Sequence, residues 1–225
     1  LTVFQWRTVF TGIGSLSLIL ALAGFLIVRN KPQDMGFDPP NTYGGKLDIH
    51  TRHWVTNLKS VAMTLQVWPG FWVQLGMIGS SYAFMGLWGI RYLQDVHQLS
   101  RGASANLMTA QLLSFALGAL FWGWISDRIG RRKPFLIAAA AAFLVSWPML
   151  MYLPWTPGIS GYLLFAFMGF AASGFVITFA AAKEIVHPNL SGMGVSVVNT
   201  GCFVGTALAQ PLVGYIADLT WDGTM

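Results

Sequence analysis

Residues 123 to 133 read Gly-Trp-Ile-Ser-Asp-Arg-Ile-Gly-Arg-Arg-Lys, a cationic turn between two apolar stretches, 104–126 and 134–153, each long enough to cross a bilayer. Charges this dense cannot follow the chain into hydrocarbon, so the turn stays at the membrane surface and orients the flanking segments. A dense cationic hinge between two spans marks a polytopic, all-α membrane protein.

Composition agrees. Apolar residues make up 55% of the chain and charged residues only 9%, where a soluble domain has about a quarter charged. The net charge of +5 would suggest nucleic acid in a soluble protein. Here the cations sit at the ends of apolar segments, where they set topology, and no nucleic-acid partner is expected. Cys202 is the lone cysteine, inside an apolar segment; it excludes an intrachain disulfide and reads as a small packing residue.

Six stretches can span the membrane: 8–28, 68–93, 104–126, 134–153, 160–182 and 192–217. Ala21-Leu22-Ala23 resembles a signal cleavage site, but the apolar run continues through Val28 to Arg29 and Lys31, so the first stretch reads as a transmembrane helix. Each span must satisfy its own backbone hydrogen bonds, so all six are helices and their connections alternate between the two faces. Arg29, Lys31, Lys46, Arg52 and Lys59 in the 29–67 loop, the hinge cations and Lys183 fall on one face, against Arg7, Arg91 and Arg101 on the other. The positive-inside rule makes the first face cytoplasmic.

The 29–67 loop is polar, with Pro32, Pro39, Pro40, Gly36, Gly44 and Gly45, and reads as a linker between membrane units. Its end, from about Leu47 to Leu65, mixes apolar and basic residues and suits a short helix on the membrane surface.

Within the hinge, Gly123 and Gly130 remove side chains where helices and turn come close, and Asp127 can cap a neighbouring helix N-terminus or pair with a nearby Arg. The order Gly123, Asp127, Arg128, Gly130, Arg131, Arg132 resembles the signature loop of the major facilitator superfamily. Gly86-Leu87-Trp88-Gly89-Ile90-Arg91-Tyr92-Leu93, Asn199-Thr200-Gly201 and Gln210-Pro211-Leu212-Val213-Gly214 are similar to bacterial members. The resemblance implies a helical bundle of that type, with 1–28 the last helix of an N-terminal half, 29–67 the cytoplasmic linker and 68–225 an incomplete C-terminal half of five helices. It also implies that the signature loop, through Gly123, Asp127, Arg128, Gly130, Arg131 and Arg132, latches the cytoplasmic helix ends in one access state. Five helices before this chain and one after would be missing, so the remaining half of the same transporter is an expected partner, with the lipid bilayer and a small-molecule substrate. The expected location is the bacterial cytoplasmic (inner) membrane.

Several pairs of small residues, Gly201 with Gly205, Gly76 with Gly79, Gly86 with Gly89 and Gly169 with Ser173, suit close helix packing or sliding. The run Ala138 to Ala142 suits a helix contact. Pro211, inside the sixth span, predicts a kink.

Polar residues at membrane depth are costly and point to a water-filled path. The candidates for substrate contact are Gln74, Tyr82, Arg91, Gln111, Asn199 and Gln210. The resemblance implies that the second, third, fifth and sixth spans line the path and that the fourth lies outside it. Arg91 can hold an anionic solute or serve as a solvated anchor, with Asp95 as an i,i+4 partner. Gln74, Asn199 and Gln210 can bond a solute or another helix. No Asp or Glu lies in the middle of a span, so a proton-coupling carboxylate would belong to the missing helices or be Glu184, which with its neighbour Lys183 reads first as a boundary ion pair.

No catalytic constellation, metal site or cofactor motif is evident. His50 and His53 lack companion ligands, and Gly45-Lys46 lacks the earlier Gly of a phosphate loop. Asn189-Leu190-Ser191 is a glycosylation sequon on the cytoplasmic face. Two functions remain: secondary active or facilitative transport of a small polar solute by alternating access, or a non-transporting membrane sensor on the same fold.

Overall fold

The computed structural model describes residues 6–29, 36 and 54–220. Most of those residues are helical and none is in a strand. The chain divides into two units, Leu1–Asp48 and Ile49–Met225.

In the first unit, helix α1 runs Trp6–Ile27. At 1.5 Å per residue its 22 residues extend about 33 Å, enough for the ~30 Å hydrocarbon core. Most of the 29–67 linker lies outside the described residues, as do His50, His53 and the 47–53 part of the expected surface helix.

The second unit opens with α2, Trp54–Ala62, the described part of that surface helix. Its Val61 is buried with Val67, Ala182, Val186 and Val198. α3 comes next, helical over residues 65–95. α4 is Arg101–Ile129, α5 is Lys133–Tyr152, α6 is Ile159–Ala172, α7 is Ile177–Ile185 and α8 is Ser191–Thr220. Local signals set several ends. The Ser100 hydroxyl caps α4 by accepting from the Ala103 N–H at 3.2 Å, and Pro134 sits in the first turn of α5.

Among the described residues, five helical stretches are long and apolar enough to span a membrane: Arg7–Ile27, Arg101–Ile129, Lys133–Tyr152, Ile159–Ile185 and Pro188–Leu219. The expected 68–93 span differs, being helical throughout but not one regular α-helix. Two π turns, Gln74–Ile78 and Phe84–Trp88, interrupt it. The first turn lies where α3 meets α8: a Cβ on Gly205 would stand 2.2 Å from the Leu75 carbonyl oxygen, and one on Gly201 2.3 Å from that of Phe71. A Cβ on Gly79 would stand 2.6 Å from the Gly205 backbone, whereas one on Gly76 would meet nothing within 4 Å. Of that expected pair, only Gly79 packs.

α4 and α6 cross as closely, with Gly169 against the Gln111 carbonyl and Gly118 against the Ser173 hydroxyl. The alanine run of α5 is a helix contact as expected: Ala139 is buried against Gly174. Such backbone proximity lets helices associate without a hydrophobic driving force. α8 is helical without interruption through Pro211, so the expected kink leaves no break in the helix.

At the end of this unit away from α2, Phe84, Leu93, Leu107, Leu150 and Phe165 are buried together. Above them, the His97 ring packs against Trp155 at 4.3 Å and Tyr92 at 5.2 Å.

Candidate functional site

The hinge is built from the end of α4. Gly130 takes the left-handed conformation, φ +69°, and its N–H bonds the Ser126 carbonyl at 3.0 Å. A side chain there would be strained, so Gly130 is required by backbone conformation. It is not required by packing, because nothing lies within 4 Å of a Cβ built on it. The reversal returns Arg132 over the last turn of α4. There Nη1 donates to the Ser126 hydroxyl at 2.9 Å and to Asp127 Oδ1, while Nε and Nη2 donate to Glu184 Oε1 at 2.9 and 2.7 Å. One guanidinium therefore ties together the end of α4, the start of α5 and the end of α7. Its fork geometry permits this; a lysine ammonium is a point charge. The bond to Glu184, then that to Asp127, raises the Arg132 pKa against a lowering by desolvation, so the group stays charged.

Arg132 side-chain exposure is 21%, against 66% for Asp127 and 56% for Glu184. The network faces water and its members can part without stranding a buried charge. Lys133 at the start of α5 and Lys183 at the end of α7 belong to the same elements, so cations gather at this end of the bundle.

The hinge residues divide in the structure. Asp127 and Arg132 make the contacts and Gly130 makes the turn. Gly123 meets nothing within 4 Å, so the close approach expected there is absent among the described residues. Arg128 lies over the Trp124 ring, 5.5 Å from its centroid. Arg131 is exposed and forms no ion pair among the described residues. Sequence reasoning missed Ser126, and it paired Glu184 with Lys183; Glu184 instead bonds Arg132 across 52 positions. The acidic residue at the span end was visible, but its partner was set by how α7 packs.

The membrane-depth candidates also separate. Gln74 is fully buried, its Nε2 donating to the Thr178 hydroxyl at 3.0 Å. It thus bonds another helix. Gln111 is fully buried, and neither amide atom has a partner among the described residues. Tyr82 is 41% exposed, beginning a row of rings: Tyr82 to Phe115 at 6.4 Å, Phe115 to Phe175 at 5.6 Å, Phe175 to Phe179 at 5.5 Å. This row joins the second, third and fifth spans. Asn199 and Gln210 on α8 are half-buried. The Trp88 indole donates to the Gln210 carbonyl at 3.1 Å. The side chains of Tyr82, Asn199 and Gln210 make no hydrogen bond among the described residues.

Arg91 and Asp95 do not pair. Both border a cavity of about 460 Å³ whose walls include Phe84, Trp88, Trp147 and Leu150. Trp147 and Leu150 belong to α5, the helix expected outside the path, and Ala209 and Val213 of α8 complete the wall. No group of three or more potential metal ligands occurs among the described residues.

These features define a polytopic helical membrane protein whose bundle is clasped at its cation-rich end. The sequence model of the Major Facilitator Superfamily matches residues 70–225, and the chain belongs to that family. It is 30% identical over 131 residues to the MFS-type transporter YceJ of Bacillus subtilis (strain 168), covering 57% of this chain and 33% of that protein. It is 28% identical to the membrane sensor protein UhpC of Escherichia coli (strain K12), covering 60% of this chain and 32% of that one. Multidrug resistance protein D of the same organism is 29% identical, covering 54% and 30%. The chain spans about a third of the length of these relatives. No solved structure matches it significantly.

Proposed function

We propose that the chain carries most of the C-terminal half of a secondary active or facilitative transporter that moves a small polar solute by alternating access. In this reading α1 closes the preceding half, residues 29–67 form the cytoplasmic linker, and the other half of the same transporter completes the path. The observation that carries it is the Arg132 clasp. Three helix ends at the cytoplasmic face are held by charge-assisted bonds that water can reach, an arrangement able to hold one access state and release it. Gly130 supplies the turn, Asp127 and Arg132 the contacts, and Arg128 and Arg131 surrounding positive charge; Gly123 has room for motion in the other state.

The solute meets the face bearing Tyr82, Asn199 and Gln210, whose polar groups are unpaired in the half-bundle. Gln74 and Gln111 act from within the helix contacts, and Arg91 anchors the outward end. The relatives in Bacillus subtilis and Escherichia coli support a bacterial cytoplasmic membrane as the location.

Counterflow of labelled solutes into vesicles containing the intact transporter tests this. Exchange supports transport. Binding without exchange would favour the sensor reading, for which the likeness to a membrane sensor protein is the specific observation.

A further inference from the structure

The spans that meet the solute in the transport reading carry no charge at depth. Residues 65–90 of α3, 102–126 of α4, 159–182 across α6 and α7, and 191–217 of α8 include no Asp, Glu, Lys, Arg or His. These stretches offer a charged solute group no counter-ion, and such a group is costly to hold in hydrocarbon without one.

What they offer instead is rings. Phe115 of α4 stacks on Phe175, which lies in the Ser173–Val176 turn between α6 and α7, with 21° between their planes. Tyr82 of α3 is tilted against Phe115, and Phe179 of α7 meets Phe175 edge-on. Tyr82 is exposed and the other three are half-buried. The face of α4 that suits acyl chains is aliphatic, with Leu113, Leu117 and Leu120 exposed along it. Phe115, two residues from both Leu113 and Leu117, lies on the other side of that helix.

The polar groups that the transport reading gives to the solute, on Tyr82, Asn199 and Gln210, are likewise uncharged. Aromatic walls with a few placed hydrogen-bonding groups form the common site for a flat organic ligand. Rings also attract cations. Here, however, the row ends at Phe179, one turn before Lys183, and Arg128, Arg131, Arg132 and Lys133 follow in the connections at that end. A cation would approach against like charge.

We propose that the solute is a neutral molecule built on a flat ring and polar through amide or hydroxyl groups, with Tyr82, Phe115 and Phe175 receiving the ring. This names the solute class of the transport reading, on which it rests.

Binding to the intact transporter in detergent is read at pH 7 from stabilisation against heat. Indole-3-acetamide is the neutral, flat probe. Indole-3-acetate and tryptamine keep the ring but carry a negative or a positive charge, and cyclohexylacetamide keeps the amide without a flat ring. Indole-3-acetamide is expected to stabilise at the lowest concentration. Phe175→Leu and Tyr82→Leu each remove one aromatic contact and are expected to raise that concentration about fivefold. Phe175→Tyr, which keeps the ring, should stay near the parent value. So should Phe121→Leu, whose ring packs with Trp122, Trp124 and Phe170 outside the row. Ring variants on two spans keep the test open if one fails to fold. Preference for any of the other three probes, or stabilisation by none of the four, overturns the proposal. So does a lower Tm in the ring variants with binding unchanged, which would make the row a contact with the other half of the transporter or with lipid. Ring-dependent binding without counterflow of labelled indole-3-acetamide keeps the solute class and removes transport. Counterflow of a charged or ring-free solute that Phe175→Leu leaves unchanged keeps transport and overturns the ring site.

Discussion

Arg132 holds Glu184 through two hydrogen bonds to a single carboxylate oxygen, Nε at 2.9 Å and Nη2 at 2.7 Å, joining the start of α5 to the end of α7. Exposed ion pairs contribute only about 0.2–1 kcal/mol each, so this clasp does little for folding. A contact worth about 1 kcal/mol still shifts a two-state equilibrium about fivefold, enough to bias an access state. Asp127→Asn and Glu184→Gln are therefore expected to lower exchange turnover severalfold with near-normal protein levels. Arg132→Lys should resemble them, because a lysine cannot serve Ser126, Asp127 and Glu184 together. Initial exchange rates set against quantitative membrane blots check this; unchanged turnover in all three removes the latch role.

The two signature glycines are expected to behave differently. Gly130→Ala places a side chain at φ +69°, at a cost of about 1–2 kcal/mol. Gly123→Ala meets nothing within 4 Å in a helix, where Ala is favoured over Gly by about 0.5–1 kcal/mol. Thermal unfolding in detergent should lower Tm for the first and hold or raise it for the second. A lower turnover in a stable Gly123→Ala would locate its packing role in the other access state.

The α3 and α8 crossing gives a sharper contrast. Gly205→Ala drives a methyl to 2.2 Å from the Leu75 carbonyl, an overpacking that costs about 1–3 kcal/mol. Gly76→Ala, on the same α3 segment, meets open space. Tm should fall clearly for Gly205→Ala and change little for Gly76→Ala; equal behaviour would refute the crossing.

Burial lowers the pKa of His97, in the turn packed against Tyr92 and Trp155. The folded protein then binds this proton less readily than the unfolded chain, whose histidine titrates near an ordinary value of about 6.5. Stability from this group is complete above that value and declines as pH falls toward the folded pKa. Unfolding monitored between pH 7.5 and 5 should show that decline in the native chain and a flatter profile in His97→Gln. A decline unaltered by the substitution would assign it to other groups.

Much of the fold was legible because transfer of a segment into hydrocarbon depends on that segment's own residues. The apolar runs, the hinge between α4 and α5 and the short helix at Trp54–Ala62 all stem from local composition. The π turns of α3 were not legible, since Gln74–Ile78 contains no proline, a single Gly76 does not specify a π turn, and the segment lies where Gly201 and Gly205 bring another helix against it.

For the candidate site, the sequence by itself determined that the chain would turn within residues 123–133 and that cations would gather at one membrane face, because the cost of burying charge acts locally; that Gly130 serves by its left-handed backbone and not by close packing came from the structure. Only the tertiary structure decided that Arg132, among four neighbouring cations, would hold Asp127 and Glu184, that Gly123 would pack against nothing, and that Gln74 would bond Thr178. Those outcomes depend on which surfaces of distant segments meet, and that is fixed by helix packing across the whole bundle.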